Sequence, residues 1–207
     1  MKLQRDAVIE TALRLLDEVG VDGLSTRRLA AELGVQQPAL YWHFRNKRAL
    51  LDALAEAMLA RNHAHSLPRA GDNWRAFLEG NARSFRKALL SHRDGARIHA
   101  GTVPERPKFE MAEAQLRFLT DQGFEPPTAL HALLTVSYYV VGSVLEEQSE
   151  MADSAERQPV AQEGMPPLLA ASYASFRQGG REAVFEAGLS IILDGLAAQR
   201  KADGEHP

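Results

Sequence analysis

Apolar residues recur at three- and four-residue steps along most of the chain, the period of a helix and not of a strand. Val8, Ile9, Ala12, Leu13, Leu16 and Val19 make one face of a first helix, with Gly20 placed to stop it. After the joint VDGL, Ser25 or Thr26 can cap a brief helix, RRLAAEL, whose Leu29 and Leu33 point inward and which closes at Gly34. Pro38 then opens a helix through ALYWHF, since its missing N–H costs nothing in a first turn. Asn46 caps a longer amphipathic helix over 47–62, with Leu50, Leu51, Leu54 and Met58 on its buried side.

Further on, 72–90 carries Trp74, Phe77, Leu78, Ala82, Phe85 and Leu89 on one side, and a short HRDGARIHAG segment follows; both read as core around a cavity. A helix over 108–120 is amphipathic through Met111, Leu116 and Phe118 and ends near Gly123, and Pro126–Pro127 mark a loop. From 128 to 147 the chain is apolar on nearly all sides, which requires burial. The last strong helix spans 181–199 through Val184, Phe185, Leu189, Ile191, Ile192 and Leu196. These two helices hold more apolar surface than one small domain covers, so they are expected to meet their copies in the four-helix bundle of a homodimer. The predicted fold is all-α: a three-helix helix-turn-helix head over 1–46, a connecting helix over 47–62, a ligand-binding and dimerisation core over 63–200, and a tail over 201–207.

With 207 residues, 45% of them hydrophobic and 25% charged, the chain is ordinary for a globular protein. The apolar 128–147 stretch reads as too short and too flanked by acids to span a membrane, and the start MKLQRDAVIE lacks a signal peptide's apolar centre, so a cytoplasmic protein is expected. The absence of cysteine excludes disulfides, zinc–thiolate sites and a thiol nucleophile. Neither a Gly-x-Ser-x-Gly nor a His-Glu-x-x-His pattern occurs, and no nucleophile–base set stands out, so an enzyme is not expected.

Charge sharpens the reading of the first helices. Residues 1–51 hold eight Lys/Arg against six Asp/Glu, leaving −5 for the remainder of a chain whose net charge is −3. Within 25–48, Arg27, Arg28, Arg45, Lys47 and Arg48 oppose Glu32 alone, either as a solvated face or as a surface for a polyanion. Two short helices around a glycine-containing turn make a helix-turn-helix, whose second helix can lie in a DNA major groove. Arg27 can pair with guanine, Gln37 with adenine, and the Ala39 methyl with a thymine methyl, while Tyr41, His43 and Lys47 can hold phosphates. Trp42 is expected to be core.

The segment LSTRRLAAELGVQQPALYWHFRNKRALLDALAEAML closely resembles the DNA-binding head of TetR-type repressors, and LYWHF with NKRALLDALA resembles the tetracycline-responsive branch. The likeness continues through WRAFLEGNARSFRKALLSHRDGARIHAGT, QLRFL, GSVLEEQ and PPLL, covering nearly the whole chain. It implies a homodimer that binds double-stranded operator DNA, with Thr26, Arg27, Gln37, Pro38, Ala39, Tyr41, Trp42, His43 and Lys47 in the DNA-binding set, and that controls a tetracycline efflux gene. It also implies a tetracycline–magnesium site at His63, Asn81, Phe85, Thr102, Pro104 and Gln115, with His99 as the metal ligand and Glu146 reaching the metal through water. Leu130, Leu133 and Leu169 would add apolar contact. His63 and His65 lie two apart and cannot jointly hold a metal on one helix face. Where these repressors usually read GTRP this chain has Gly101–Thr102–Val103–Pro104, so an arginine beside the pocket is replaced by an apolar side chain, and the alternative reading is a TetR-type repressor that responds to a different small molecule. The helix over 47–62, about 24 Å long at 1.5 Å per residue, would connect the two sites and swing the head when the pocket fills.

Overall fold

The computed structural model describes residues 3–100, 102, 109–153 and 164–203. Among them the chain is all-α, with the elements α1 (Arg5–Gly23), α2 (Thr26–Glu32), α3 (Pro38–Tyr41), α4 (Lys47–Asn62), α5 (Trp74–Leu90), α6 (Gly95–His99), α7 (Phe109–Asp121), α8 (Pro126–Asp153) and α9 (Pro167–Asp203).

Their starts follow from side-chain caps. Ser25 accepts from the Arg28 N–H, Asn46 from Ala49 and Asn73 from Ala76, each satisfying a backbone donor that a helix start leaves unpaired. Gly20 bends α1 at φ 69° without ending it, and Gly34, at φ 65°, turns the chain from α2 toward α3.

Two hydrophobic cores form. Val8, Leu13, Leu16, Leu29, Leu40, Phe44, Leu50, Leu54 and Met58 close the head, and Ile98 from α6 inserts into the same cluster. Phe77, Leu78, Phe85, Leu89, Val136, Val140, Val144, Phe185 and Leu189 join α5, α8 and α9 in the second. Trp74 meets Phe124, and Phe77 meets Phe118, both edge to face at ring centroids 5.3 Å apart, and Tyr139 stacks on Phe185.

Several expectations are corrected. Trp42 is 88% exposed instead of core, because α3 ends at Tyr41 and Leu40 and Phe44 already fill the inward positions. Pro126 and Pro127 lie in the first turn of α8, where their missing N–H groups need no partner, and not in a loop. That helix runs 28 residues, long and apolar enough by length and composition to cross a membrane. Its buried side chains, Ala129, Ala132, Val136, Val140 and Val144, repeat on one side only, while Leu130, Leu134 and Tyr138 are exposed in the single chain. The last helix starts at Pro167 and bends at Gly180, φ 66°, so the 181–199 reading missed its first half. That half exposes Leu168, Leu169, Tyr173 and Phe176, an apolar surface left uncovered by the described residues of its own chain.

Candidate functional site

Gln37, at the N-cap of α3, donates from Nε2 to Thr26 Oγ1 at 2.9 Å and to Tyr41 Oη at 3.3 Å, so one amide ties the start of α2 to the end of α3. Arg27, Pro38, Tyr41 and Trp42 are exposed beside it, and Ala39 and His43 are half-buried. Lys47 does not stand free: its Nζ donates to the Val21 carbonyl of α1 at 3.1 Å. Its ammonium keeps two further N–H donors that can reach a phosphate.

A cavity of about 450 Å³ lies between α4, α6, the 63–66 turn and α7, lined by Asp52, Ala55, Glu56, Leu59, His63, Ser66, His99, Thr102 and Met111, among others. The geometry begins with Phe85 of α5. Its ring lies 5.0 Å from that of His99, edge to face, and 5.4 Å from that of His63. His63 caps the C-terminus of α4, and its Nδ1 is 2.7 Å from Ser84 Oγ. His65, two residues on, faces Asp72 instead, with Nε2 to Oδ2 at 2.8 Å, so the two imidazoles serve different partners.

His99 is the chemically distinctive group. Burial lowers its pKa and favours the neutral ring, the form that binds metals, and its Nδ1 is buried without a hydrogen-bond partner among the described residues. Thr102 folds back to it, donating both N–H and Oγ1–H to the His99 carbonyl at 3.0 and 2.7 Å. No cluster of three or more His, Asp or Glu able to hold a metal occurs among the described residues. A hard cation at His99 would therefore draw its remaining oxygens from a chelating ligand and water.

The other predicted ligand residues divide into groups. Asn81 donates to the His65 carbonyl at 3.1 Å and Gln115 to that of Ser66 at 2.6 Å, so both brace the turn that follows α4. Leu133 packs on the second core. Leu130, Leu169 and Glu146 are exposed on α8 and α9 and are not among the described residues that line the cavity; beside Glu146, α8 turns Val144 inward. Pro104 lies outside the described residues, as does Val103. Asp52, Glu56, Ser66 and Met111 were not among the predicted residues; the i, i+4 pair of acids beside Ala55 and Leu59 was the signal in α4.

The comparisons fall on the same two parts. Residues 8–54 match the family described as bacterial regulatory proteins, tetR family, and residues 67–200 match the tetracyclin repressor-like C-terminal domain. Over 200 residues the chain is 64% identical to the tetracycline repressor protein class A from transposon 1721 of Escherichia coli, covering 96% of this chain and 93% of that protein. The crystal structure of TetR from Acinetobacter baumannii AYE superposes with a TM-score of 0.83 at 52% identity, covering 96% of this chain and 99% of that one. A class A TetR in complex with 5a,6-anhydrotetracycline and magnesium superposes with a TM-score of 0.77 at 57% identity, over 95% of this chain and 99% of that one. The chain belongs to the TetR family of bacterial regulatory proteins, in its tetracycline-repressor branch.

Proposed function

We propose that the protein is a ligand-responsive transcriptional repressor. As a homodimer it holds a palindromic operator with its two heads, and it releases the DNA when tetracycline chelated to magnesium occupies the cavity at His99. The observation that carries this reading is His99 itself: a neutral imidazole with an unpartnered Nδ1, in a cavity whose wall is the helix leading to the head. Magnesium, when bound with the drug, supplies a hard cation whose other ligands are oxygens.

The chain's own residues do the rest. Phe85 fixes the spacing of His63 and His99, and Asn81 and Gln115 brace the turn between His63 and Ser66. Leu130, Leu169 and Glu146 are exposed in the single chain, which supports a reading in which they contact the drug bound to the second copy. Asp52, Ala55, Glu56 and Leu59 put one side of α4 in the cavity wall, while Leu50, Leu54 and Met58 put another in the head core. A ligand that fills the cavity displaces α4 and tilts the head. The two recognition helices then lose the spacing of roughly 34–36 Å needed to enter successive major grooves.

The protein acts by binding and not by catalysis, beside the chromosome it regulates, which places it in the cytoplasm. The regulated gene is taken to encode a tetracycline efflux pump. Titrating the operator complex with tetracycline, with magnesium and then with excess EDTA, tests the reading. Release is expected only with the metal, and equal release in EDTA means a different effector.

A further inference from the structure

One side chain of α8 does more than pack. Gln148 donates from Nε2 to the carbonyls of Leu89 at 3.1 Å and His92 at 2.9 Å, and its Oε1 accepts from the Ala96 N–H at 3.1 Å. The Leu89 carbonyl and the Ala96 N–H are groups that the end of α5 and the start of α6 leave without helical partners, and the His92 carbonyl, in the turn between, accepts from the Gly95 N–H as well. A single amide thus closes the corner between the two helices. The corner has no slack, since a Cβ on Gly95 would lie 2.1 Å from the Leu89 oxygen.

What this corner aims is α6, only five residues long and too short to hold its own position. At one end His99 lies in the drug cavity. At the other, Asp94 sits in the left-handed region at φ 57° and accepts the Val21 N–H of α1 at 2.8 Å, beside the Gly20 bend. From the turn between, Arg97 holds Asp22 through two bonds of 2.9 and 3.1 Å, and Ile98 is buried in the head core. The same short helix touches the effector site and the head, and its orientation is set from α8, a helix with an apolar face left for the second copy.

We infer that Gln148 is a positioning residue for the effector response: it ties the dimerisation helix to the α5–α6 corner, so that a shift at His99 is passed to α1 instead of being absorbed in the corner. The inference rests on the reading of the protein as a drug-released repressor. Without the amide, α6 pivots at Gly95 and the two sites respond separately, while each keeps its own residues.

The test uses the full-length dimer carrying Gln148→Met, which keeps the length and removes all three bonds. Gln148→Glu, which keeps the acceptor for Ala96 and removes both donations, serves if the first variant does not fold. The tetracycline concentration that half-releases the operator in magnesium is expected to rise about tenfold or more, while drug-free operator affinity and the free dimer's drug affinity each change less than about threefold. A merely structural role would lower the melting temperature and leave that coupling alone. Amide exchange at Val21 is expected to speed up about tenfold, with mid-α5 amides such as that of Ala82 unchanged. Half-release within about twofold of the parent, or an unchanged Val21 rate, overturns the inference. If the parent itself ignores tetracycline and magnesium, the functional reading falls, and the Val21 exchange alone decides the role of Gln148.

Discussion

Phe85 meets the imidazole of His99 edge to face, ring centroids 5.0 Å apart and planes at 76°. An aromatic edge is the positive part of the ring and its face the negative part, so this contact orients the two rings as well as filling space. Because the same phenyl ring also touches His63, α5 sets the distance between the end of α4 and the end of α6.

Phe85→Ala removes a buried ring from between two helices and is expected to cost about 3–5 kcal/mol of stability. Denaturant unfolding checks the figure. A loss below about 1 kcal/mol would mean that the histidines close over the gap and that the ring does not set their spacing.

The lowered pKa of His99 gives a pH signature with a definite sign. The unfolded chain takes up the proton near the ordinary histidine value of about 6.5, the folded chain only at lower pH. Its contribution to stability is therefore complete above that value and is lost as pH falls through the folded pKa. In the same way, magnesium-dependent drug binding is expected to hold as pH drops below about 6.5 and to fail only further down. Calorimetric titration of drug and magnesium across this range, beside His99→Ala, is the measurement; an acid limb centred at the ordinary value would remove burial as the cause.

In the head, Arg27→Ala is expected to weaken operator binding by about 1–3 kcal/mol and to relax discrimination at one base pair per half-site. Lys47→Ala separates two roles. If Lys47 also donates to a phosphate, its loss weakens all sequences alike and flattens the salt slope by about one unit per contact. A weakened complex with the parent's salt slope would assign Lys47 to holding α1.

Ile191 is 72% exposed and Leu134 lies on the uncovered side of α8. Ile191→Glu or Leu134→Glu puts a charge where the second copy packs, and each is expected to shift sedimentation from dimer toward monomer and to weaken operator binding with it. A variant that stays dimeric would place the interface elsewhere on α8 and α9.

Gly95→Ala drives a methyl against the Leu89 carbonyl, a backbone atom that cannot move aside without shifting the end of α5. A stability loss of about 1–3 kcal/mol is expected, read as a lowered melting temperature. A variant as stable as the parent would show that the α5–α6 corner has room.

Much of this was written in the sequence because it is local. Helical period, caps and proline positions act within a turn, so α4 appears with the expected bounds and Ser25 emerges as the cap of α2. The apolar residues of α8 announced a helix that must be covered. They did not say by what, since period alone gives no count of neighbours, and the single chain buries only the Ala129–Val144 side. The resemblance selected His63, Phe85, His99 and Thr102, and the fold brings them together.

What the sequence could not give is how side chains far apart in the chain are oriented toward each other. Nothing in the order of residues tells that Trp42 is left outside by Leu40 and Phe44, that Glu146 is not in the lining of its own chain's cavity, or that Lys47 donates to the Val21 carbonyl. Nor could spacing show that Gln148 reaches back 52 residues to Ala96. Local pattern fixes which face of a helix is apolar, because that depends on a period of 3.6 residues and on burial. The identity of a hydrogen-bond partner depends on which helices pack against which, and that choice is made by the whole core at once.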